Sequence, residues 1–140
     1  MKVYLTVKGD NISGYHNIDA SSGGDIVKMD GVEDSEATEI IASDIINFTD
    51  ISSINDLLSG WVKKLRHGGR IVVGGVEIDE VCKAFISKAI DVNQFNKLVH
   101  EGRVSQITTT DLEKILTNHG LTITKKRTDN FNMIIEAIRP

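Results

Sequence analysis

The sequence predicts an α/β fold in which a mostly parallel sheet is layered with helices and ends in an antiparallel hairpin. Two observations support this prediction. Short apolar runs alternate with amphipathic helical segments through most of the 140 residues, and the last two apolar runs are separated only by a tight turn. Alternating strands and helices are typical of parallel sheets, whereas strands joined by a tight turn pair antiparallel. The only proline is Pro140, so none interrupts an element, and we expect residues 1–140 to form one domain.

Four short strands are expected in the first third of the chain. Residues 2–7, KVYLTV, and residues 15–19, YHNID, form the first two, joined by a tight polar loop. Residues 25–29, DIVKM, are predicted as a third strand. Residues 38–43, TEIIAS, form the fourth, and the Ile40-Ile41-Ala42 run within it suits a strand buried on both faces.

The clearest helix is expected over residues 52–66. Apolar side chains recur there at i, i+3, i+4, i+7 and i+11, which places them in one stripe that includes Trp61. The Ser52-Ser53 pair can cap its start, and Gly68-Gly69 can end it, because glycine accepts the left-handed backbone of a helix stop. A central strand over residues 70–76 follows.

A second amphipathic helix is expected over residues 79–90, with Asp79 as its N-cap. A looser helical stretch follows it as far as Val99. Phe85 and Ala89 are assigned to the inward face of the helix, together with Val81 and Ile90. Cys82 is assigned to the core rather than to a nucleophile, and a single cysteine excludes an internal disulfide.

A last helix is expected over residues 108–120, where Thr110 and Glu113 have the spacing of a capping box. The apolar runs on either side of Thr128-Asp129-Asn130 then form the closing hairpin.

Composition excludes several classes of function. The net charge of −4 argues against a general nucleic-acid binder, and Lys125-Lys126-Arg127 is interpreted as a solvated strand end. No apolar run approaches the ~18 residues of a membrane span, and the N-terminus lacks a signal-peptide pattern. We therefore expect a cytoplasmic protein that does not associate with membranes. The histidines lack metal-ligand spacing, so no metal site is expected.

The stretch YLTVKGDNISGYHNID, residues 4–19, suggests a site for a nucleotide-like cofactor. A strand that ends in a glycine loop, followed by a strand that ends in an acid, is common in such sites. Gly9 lies in the loop and Asp19 ends the second strand. The loop carries one glycine where two or three are usual, and Lys8 and Asp10 flank it, so the sequence leaves open whether the site functions.

Three segments together resemble the class I S-adenosylmethionine-dependent methyltransferases, in the short branch whose first strand leads almost directly into the second. GYHNID (14–19) resembles the second strand with its terminal acid. TEIIASDIINF (38–48) resembles the fourth-strand segment beside the cofactor's sulfonium, and WVKKLRHGGRIVVGGVEI (61–78) resembles the helix, turn and fifth strand. The order of elements agrees over nearly the whole chain. The resemblance implies a Rossmann-like methyltransferase sheet with helices on both faces and S-adenosylmethionine as cofactor.

The resemblance also implies a set of site residues. Gly9, Ser43 and Asp44 would line the cofactor site, where Asp19 would accept hydrogen bonds from the ribose hydroxyls, although a turn-capping role for Asp19 is equally open. Asp30-Gly31, after the predicted third strand, would lie near the adenine, but an Asp-Gly turn is the stronger alternative. No catalytic residue is identified; Asp44 is a candidate base for a substrate hydroxyl, and a helix-start aspartate is an equal alternative.

Two functions follow from these observations. The first is an S-adenosylmethionine-dependent methyltransferase acting on a small molecule or sugar, with the acceptor unknown. The alternative is a catalytically inactive methyltransferase-fold module that serves binding or assembly, as a homodimer or with a protein partner; Lys8, Asp10 and the short chain motivate it. A domain for another nucleotide is weaker, because neither a P-loop nor a Gly-x-Gly-x-x-Gly run is present. Gly74-Gly75, inside a strand, indicates either close packing or ligand access.

Overall fold

A single six-stranded sheet organises the structure, a computed structural model that describes all 140 residues. Its strands are β1 (Lys2–Thr6), β2 (His16–Asp19), β3 (Ala37–Ala42), β4 (Leu65–Val76), β5 (Thr122–Asp129) and β6 (Asn132–Ile138). Their order across the sheet is β2-β1-β3-β4-β6-β5. The first four strands pair in parallel, and β6 runs antiparallel to β4 and β5. The predicted fold class, a mostly parallel sheet with a C-terminal antiparallel pair and helices around it, is confirmed.

The main core lies between one face of the sheet and two helices. The helices of the structure are α1 (Ile54–Lys64), α2 (Ile78–Ile86), α3 (Val92–Val99) and α4 (Thr109–Asn118). Inward side chains of α1 and α4, among them Trp61 and Leu112, join the sheet residues Val3, Ile40 and Ile71 in one core cluster. Trp61 is fully buried, as predicted from the apolar stripe. The second pair, α2 and α3, forms a smaller cluster with the end of β4.

The opposite face of the sheet, here called the open face, is covered by its own long side chains. Along β6, Ile134, Glu136 and Ile138 on this face are partly exposed, although the residues between them are buried. At its centre Arg70 donates hydrogen bonds to Glu39 at 3.0 and 3.1 Å and to Glu136 at 2.8 Å. The sequence predicted helices on both faces of the sheet. In the structure α1 and α4, the two helices that pack in the main core, lie on the same face, opposite the open face.

Residues 25–29, predicted as a strand, form a turn instead. The Asp25 carboxylate accepts from the amides of Val27 and Lys28 at 2.9 and 3.0 Å, and its carbonyl accepts from the amide of Met29 at 3.0 Å. These local bonds fold the segment like one turn of a helix. Met29, 1% exposed, still reaches the core, so its apolar character reflects burial without strand pairing.

The inward stripe predicted for residues 79–90 is only partly buried. Val81 and Ile90 are buried in the α2–α3 cluster. Three residues assigned to the inward face or core are exposed instead: Cys82, Phe85 and Ala89. The helix ends at Ile86, and the α2–α3 cluster contains only four buried residues, too few to cover a second row of side chains.

Several element boundaries also differ from prediction. α4 is capped by Thr108, whose hydroxyl accepts from the amide of Asp111 at 3.1 Å, rather than by Thr110. β4 starts directly after α1, so Gly68-Gly69 lies within this strand. The hairpin turn is the pair Asn130-Phe131, whose φ angles of 48° and 66° are those that a two-residue hairpin requires.

The basic run on β5 is solvated, as predicted. Lys125, Lys126 and Arg127 are all exposed on this edge strand, and Lys126 pairs with Glu113 of α4 at 3.0 Å. None of the helices combines the length and the apolar character that a membrane crossing needs.

Candidate functional site

The carboxyl ends of β1 and β3 meet where the chain changes direction across the sheet. From β1 the chain continues to β2 on one side, and it then returns to β3 on the other side. In open α/β sheets such a switch point leaves a crevice at the carboxyl ends of the strands, where ligands bind. Gly9 follows β1, Ser43 and Asp44 follow β3, and Asp19 ends the neighbouring β2. The fold therefore brings four of the predicted site residues to one edge of the sheet.

An ion pair crosses this switch-point crevice. The Nζ atom of Lys8, two residues after β1, contacts Oδ2 of Asp44, two residues after β3. The other oxygen of Asp44, Oδ1, is buried and has no hydrogen-bond partner. A buried acceptor without a partner costs about 1–3 kcal/mol. The crevice thus contains a carboxylate that Lys8 satisfies only on one side.

Two hydroxyls of β1 hold the carboxylate of Asp10. Its carboxylate accepts hydrogen bonds from the hydroxyls of Tyr4, at 2.5 Å, and Thr6. These bonds, from Thr6 first and Tyr4 second, hold the pKa of Asp10 below its ordinary value. Since Tyr4 belongs to the open face of β1, its hydrogen bond holds the Asp10 carboxylate over that face.

Gly9 and Asp19 are neighbours at the carboxyl ends of β1 and β2. Gly9 has a φ of +79°, and a Cβ there would lie 3.7 Å from Oδ2 of Asp19. The Asp19 carboxylate accepts from the amide and hydroxyl of Ser21 at 2.9 and 2.6 Å and from the hydroxyl of Ser22 at 3.0 Å. Ser21 is the main cause of the lowered pKa of Asp19, to which the backbone of Gly9 also contributes. Asp19 therefore caps its own turn while facing the glycine loop.

Asp30-Gly31 lies away from the crevice. His16 Nε2 lies 3.0 Å from the carbonyl oxygen of Asp30, and a Cβ on Gly31 would lie 3.2 Å from the same ring nitrogen. His16 is the first residue of β2, at the opposite end of the strand from Asp19. A cavity of about 340 Å³ runs along the outer edge of β2 and includes both Asp19 and Asp30. Asp30 thus shares a groove with Asp19 but does not join Gly9, Ser43 and Asp44.

Gly74-Gly75 serves close packing. A Cβ on Gly74 would lie 2.5 Å from the carbonyl oxygen of Ser43, and one on Gly75 would collide with the side chain of Asn47. Asn47, 1% exposed, accepts from the amide of Val76 at 2.7 Å and donates to the carbonyl of Ser105 at 3.1 Å. The segment after β3 is thereby fixed against β4, which positions Ser43 and Asp44.

Glu77, immediately after β4, is a second buried polar residue that sequence reasoning missed. Its carboxylate, 4% exposed, accepts from the amide of Asp79 at 3.2 Å and from the amide and hydroxyl of Thr109, the former at 2.5 Å. One side chain thus caps α2, in place of the predicted Asp79, and also holds the first residue of α4. Because α2 and α4 are separate in sequence, the contact with Thr109 is not visible in local spacing.

A larger cavity lies elsewhere. It has a volume of about 730 Å³ and is lined by residues of the α2–α3 turn, including Phe85, Ile90 and Val92. It contains none of the predicted site residues. No group of three or more His, Cys, Asp or Glu side chains has an arrangement suited to a metal ion.

Comparisons with known proteins give structural matches only. No protein-family model and no curated protein sequence matches the chain. An O-methyltransferase family protein from Burkholderia thailandensis matches with a TM-score of 0.62 and 11% identity, over 89% of this chain and 36% of its own. The 1,6-didemethyltoxoflavin-N1-methyltransferase of the same organism, solved with its substrate and S-adenosylhomocysteine, matches with a TM-score of 0.65 and 12% identity, over 98% and 70%.

A third match comes from Haloferax volcanii, where the structure is a complex with the Trm112 methyltransferase activator. Its TM-score is 0.67 at 8% identity, over 99% of this chain and 82% of that chain. These similarities show that the chain has a class I methyltransferase-like fold. The chain spans about a third of the length of the Burkholderia O-methyltransferase family protein.

Proposed function

We propose that this protein is an S-adenosylmethionine-dependent methyltransferase that acts on a small molecule or a sugar. The switch-point crevice is the observation that carries the proposal. There the fold gathers the glycine loop, the acid that ends β2 and the polar pair after β3. The 1,6-didemethyltoxoflavin-N1-methyltransferase of Burkholderia thailandensis has a similar fold. Its structure contains 1,6-didemethyltoxoflavin and S-adenosylhomocysteine, the demethylated product of this cofactor.

The residues at the crevice fit a nucleoside cofactor that carries an amino-acid chain. The positive φ of Gly9 turns the loop next to Asp19 without a side chain in the way. Asp19 supplies carboxylate oxygens that ribose hydroxyls can use in place of the hydroxyls of Ser21 and Ser22. Oδ1 of Asp44 is a buried acceptor that still lacks a donor. Each of these features gives a polar group of the cofactor a partner.

Methyl transfer asks mainly for alignment and for exclusion of water. The bound cofactor supplies a methyl group on a positively charged sulfur, which is already a strong electrophile. The protein must hold the acceptor atom in line with the methyl group and the sulfur. Ser43 and Asp44, the first two residues after β3, are the side chains that we assign to this role. Asp44 is the candidate base for the acceptor's proton, and Lys8 holds one of its two oxygens, Oδ2.

An inactive module is the second candidate, and the engagement of the same side chains favours it. The Asp19 carboxylate already serves three donors in its own turn, and Lys8 already occupies Asp44. In this reading the chain works through a protein partner or a second copy, and the Haloferax volcanii complex gives a precedent for partnership in this fold. We propose a cytoplasmic location for either function.

Ligand-induced stabilisation tests the first candidate. Thermal melts with S-adenosylmethionine or S-adenosylhomocysteine, followed by calorimetric titration, measure the affinity directly. A ligand at ~100 times its Kd adds about 2.7 kcal/mol of stability, which raises the Tm of a chain of this size by several degrees. No shift at millimolar ligand would favour the inactive module.

A matched pair of variants tests whether Asp19 is the ligand residue. Asp19→Ala is expected to weaken binding about tenfold or more, because a hydrogen bond to a charged group is worth about 1.5–3 kcal/mol. Asp50→Ala is the control, since Asp50 caps a similar short turn and accepts from the amide and hydroxyl of Ser52 at 2.9 and 2.6 Å. Both variants lose a cap, so equal ligand affinity in the two would exclude the proposed role of Asp19.

A further inference from the structure

Lys8 is the only side chain that forms an ion pair across the switch-point crevice. It links the loop after β1 to the segment after β3, whereas the other ion pairs lie on α1, α2, the open face or the β5 edge. A ligand that binds between these two segments would lie beside this pair. The position of Lys8 therefore bears directly on what the crevice admits.

The surroundings of the pair allow Lys8 to leave. Its backbone is fixed, because its amide donates to the Thr6 hydroxyl at 3.1 Å, but its side chain is 56% exposed. The ammonium can therefore move into water with little change in its own solvation. Asp44 cannot follow, since its side chain is only 28% exposed and its Oδ1 atom is buried without a donor. When Lys8 departs, a fixed and incompletely satisfied anion remains at the crevice.

We propose that Lys8 is a resident cation that competes with the sulfonium of S-adenosylmethionine for Asp44. The inference rests on the function proposed above. In the empty protein the ammonium neutralises Asp44, and in the loaded protein the sulfonium takes its place. The exchange keeps one positive charge beside the half-buried Asp44 carboxylate in both states, so this anion stays paired.

The exchange also distinguishes cofactor from product. During transfer the sulfur–methyl bond breaks, its electron pair stays on sulfur, and the methyl group bonds to the acceptor atom, which gives up a proton. The sulfur of S-adenosylhomocysteine is neutral and no longer competes for Asp44. Lys8 then returns to the carboxylate, so it opposes binding of the cofactor but not of the product.

Calorimetric titration of Lys8→Met with both ligands tests this inference, because methionine keeps an unbranched side chain of nearly the same length without its charge. An exposed ion pair is worth up to about 1 kcal/mol, so we expect about fivefold tighter binding of S-adenosylmethionine. Binding of S-adenosylhomocysteine should change by less than about twofold. Lys126→Met is the matched control, since its pair with Glu113 has side-chain exposures of 56% and 32%, close to the 56% and 28% of Lys8 and Asp44.

The outcomes separate the inference from the proposed function. The competition is supported if Lys8→Met binds S-adenosylmethionine more tightly, S-adenosylhomocysteine affinity is unchanged, and Lys126→Met shows no such gain. It is also supported if Lys8→Met binds S-adenosylmethionine and the unaltered protein does not. Equal gains for both ligands, or no gain for either, would overturn it and leave the methyltransferase proposal intact. If no protein binds either ligand, both proposals fall.

Discussion

Both tyrosines of the chain donate hydrogen bonds to carboxylates at the open face of the sheet. Tyr4 donates to Asp10, and Tyr15 donates to Glu39, which also accepts from Arg70. Burial, followed by Asp10, raises the pKa of Tyr4, and the hydrogen bond to Glu39 is the main cause that raises the pKa of Tyr15. Both phenols are thus held in the neutral form by neighbouring carboxylates.

We predict that neither tyrosine of the folded protein titrates at the ordinary pKa of 10.0. The midpoint of the rise in tyrosinate absorbance should lie above that value. A group with a raised folded pKa contributes stability below its unfolded pKa and loses it as the pH rises through the folded value. The free energy of unfolding should therefore fall on the alkaline side of pH 10.

The variant Glu39→Gln assigns the titration to one residue. It removes the main cause that raises the pKa of Tyr15 but leaves burial and Asp10, which raise the pKa of Tyr4, so one of the two phenols should titrate closer to 10.0. Two phenols that titrate at 10.0 in the unaltered protein would contradict the hydrogen bonding described for the open face.

At the scale of elements, Glu77 joins α2 to α4. Its buried carboxylate receives donors from the first turns of both helices. Glu77→Gln replaces one acceptor oxygen with an NH₂ group, which would face a donor at Thr109 or Asp79. We expect a loss of about 1–3 kcal/mol in the free energy of unfolding, the cost of leaving a buried donor unpaired.

Urea denaturation measures this loss against a neighbouring control. Glu80→Gln changes an exposed residue of the same helix and should stay within about 0.5 kcal/mol of the unaltered protein. If Glu77→Gln is no more destabilising than Glu80→Gln, Glu77 is not the joint between the two helices.

Local patterns predicted some elements and missed others for identifiable reasons. The stripe that contains Trp61 predicted α1 and its burial, because helical periodicity follows directly from a helix packed against a core. The DIVKM segment misled, because a single carboxylate, Asp25, stabilises a turn that apolar pattern cannot show. The apolar stripe of residues 79–90 indicated which side of the helix would face the protein interior. It could not show that the α2–α3 cluster is too small to cover Phe85.

At the scale of the whole molecule, topology explains which parts of the site could be predicted. Gly9, Asp19, Ser43 and Asp44 lie at one edge of the sheet because each follows or ends a parallel strand, which the pattern predicted; the order of the strands across the sheet is known only from the structure. Asp30 was grouped with them on the family resemblance and on a predicted third strand over residues 25–29, where the structure has a turn. Asn47 and the ion pair of Lys8 depend on partners 29 and 36 residues away, which no local pattern identifies.

The proposal that the cofactor binds at the switch-point crevice can be tested by locating the bound ligand. Amide chemical shifts of the ¹⁵N-labelled protein can be followed by NMR as S-adenosylhomocysteine is added. We predict that the largest changes fall on residues 8–10, 19–22 and 43–45, around the switch-point crevice, with little change in the α2–α3 turn. If the largest shift changes fall on residues 85–94, or if no shifts change at millimolar ligand, the crevice is not the cofactor site.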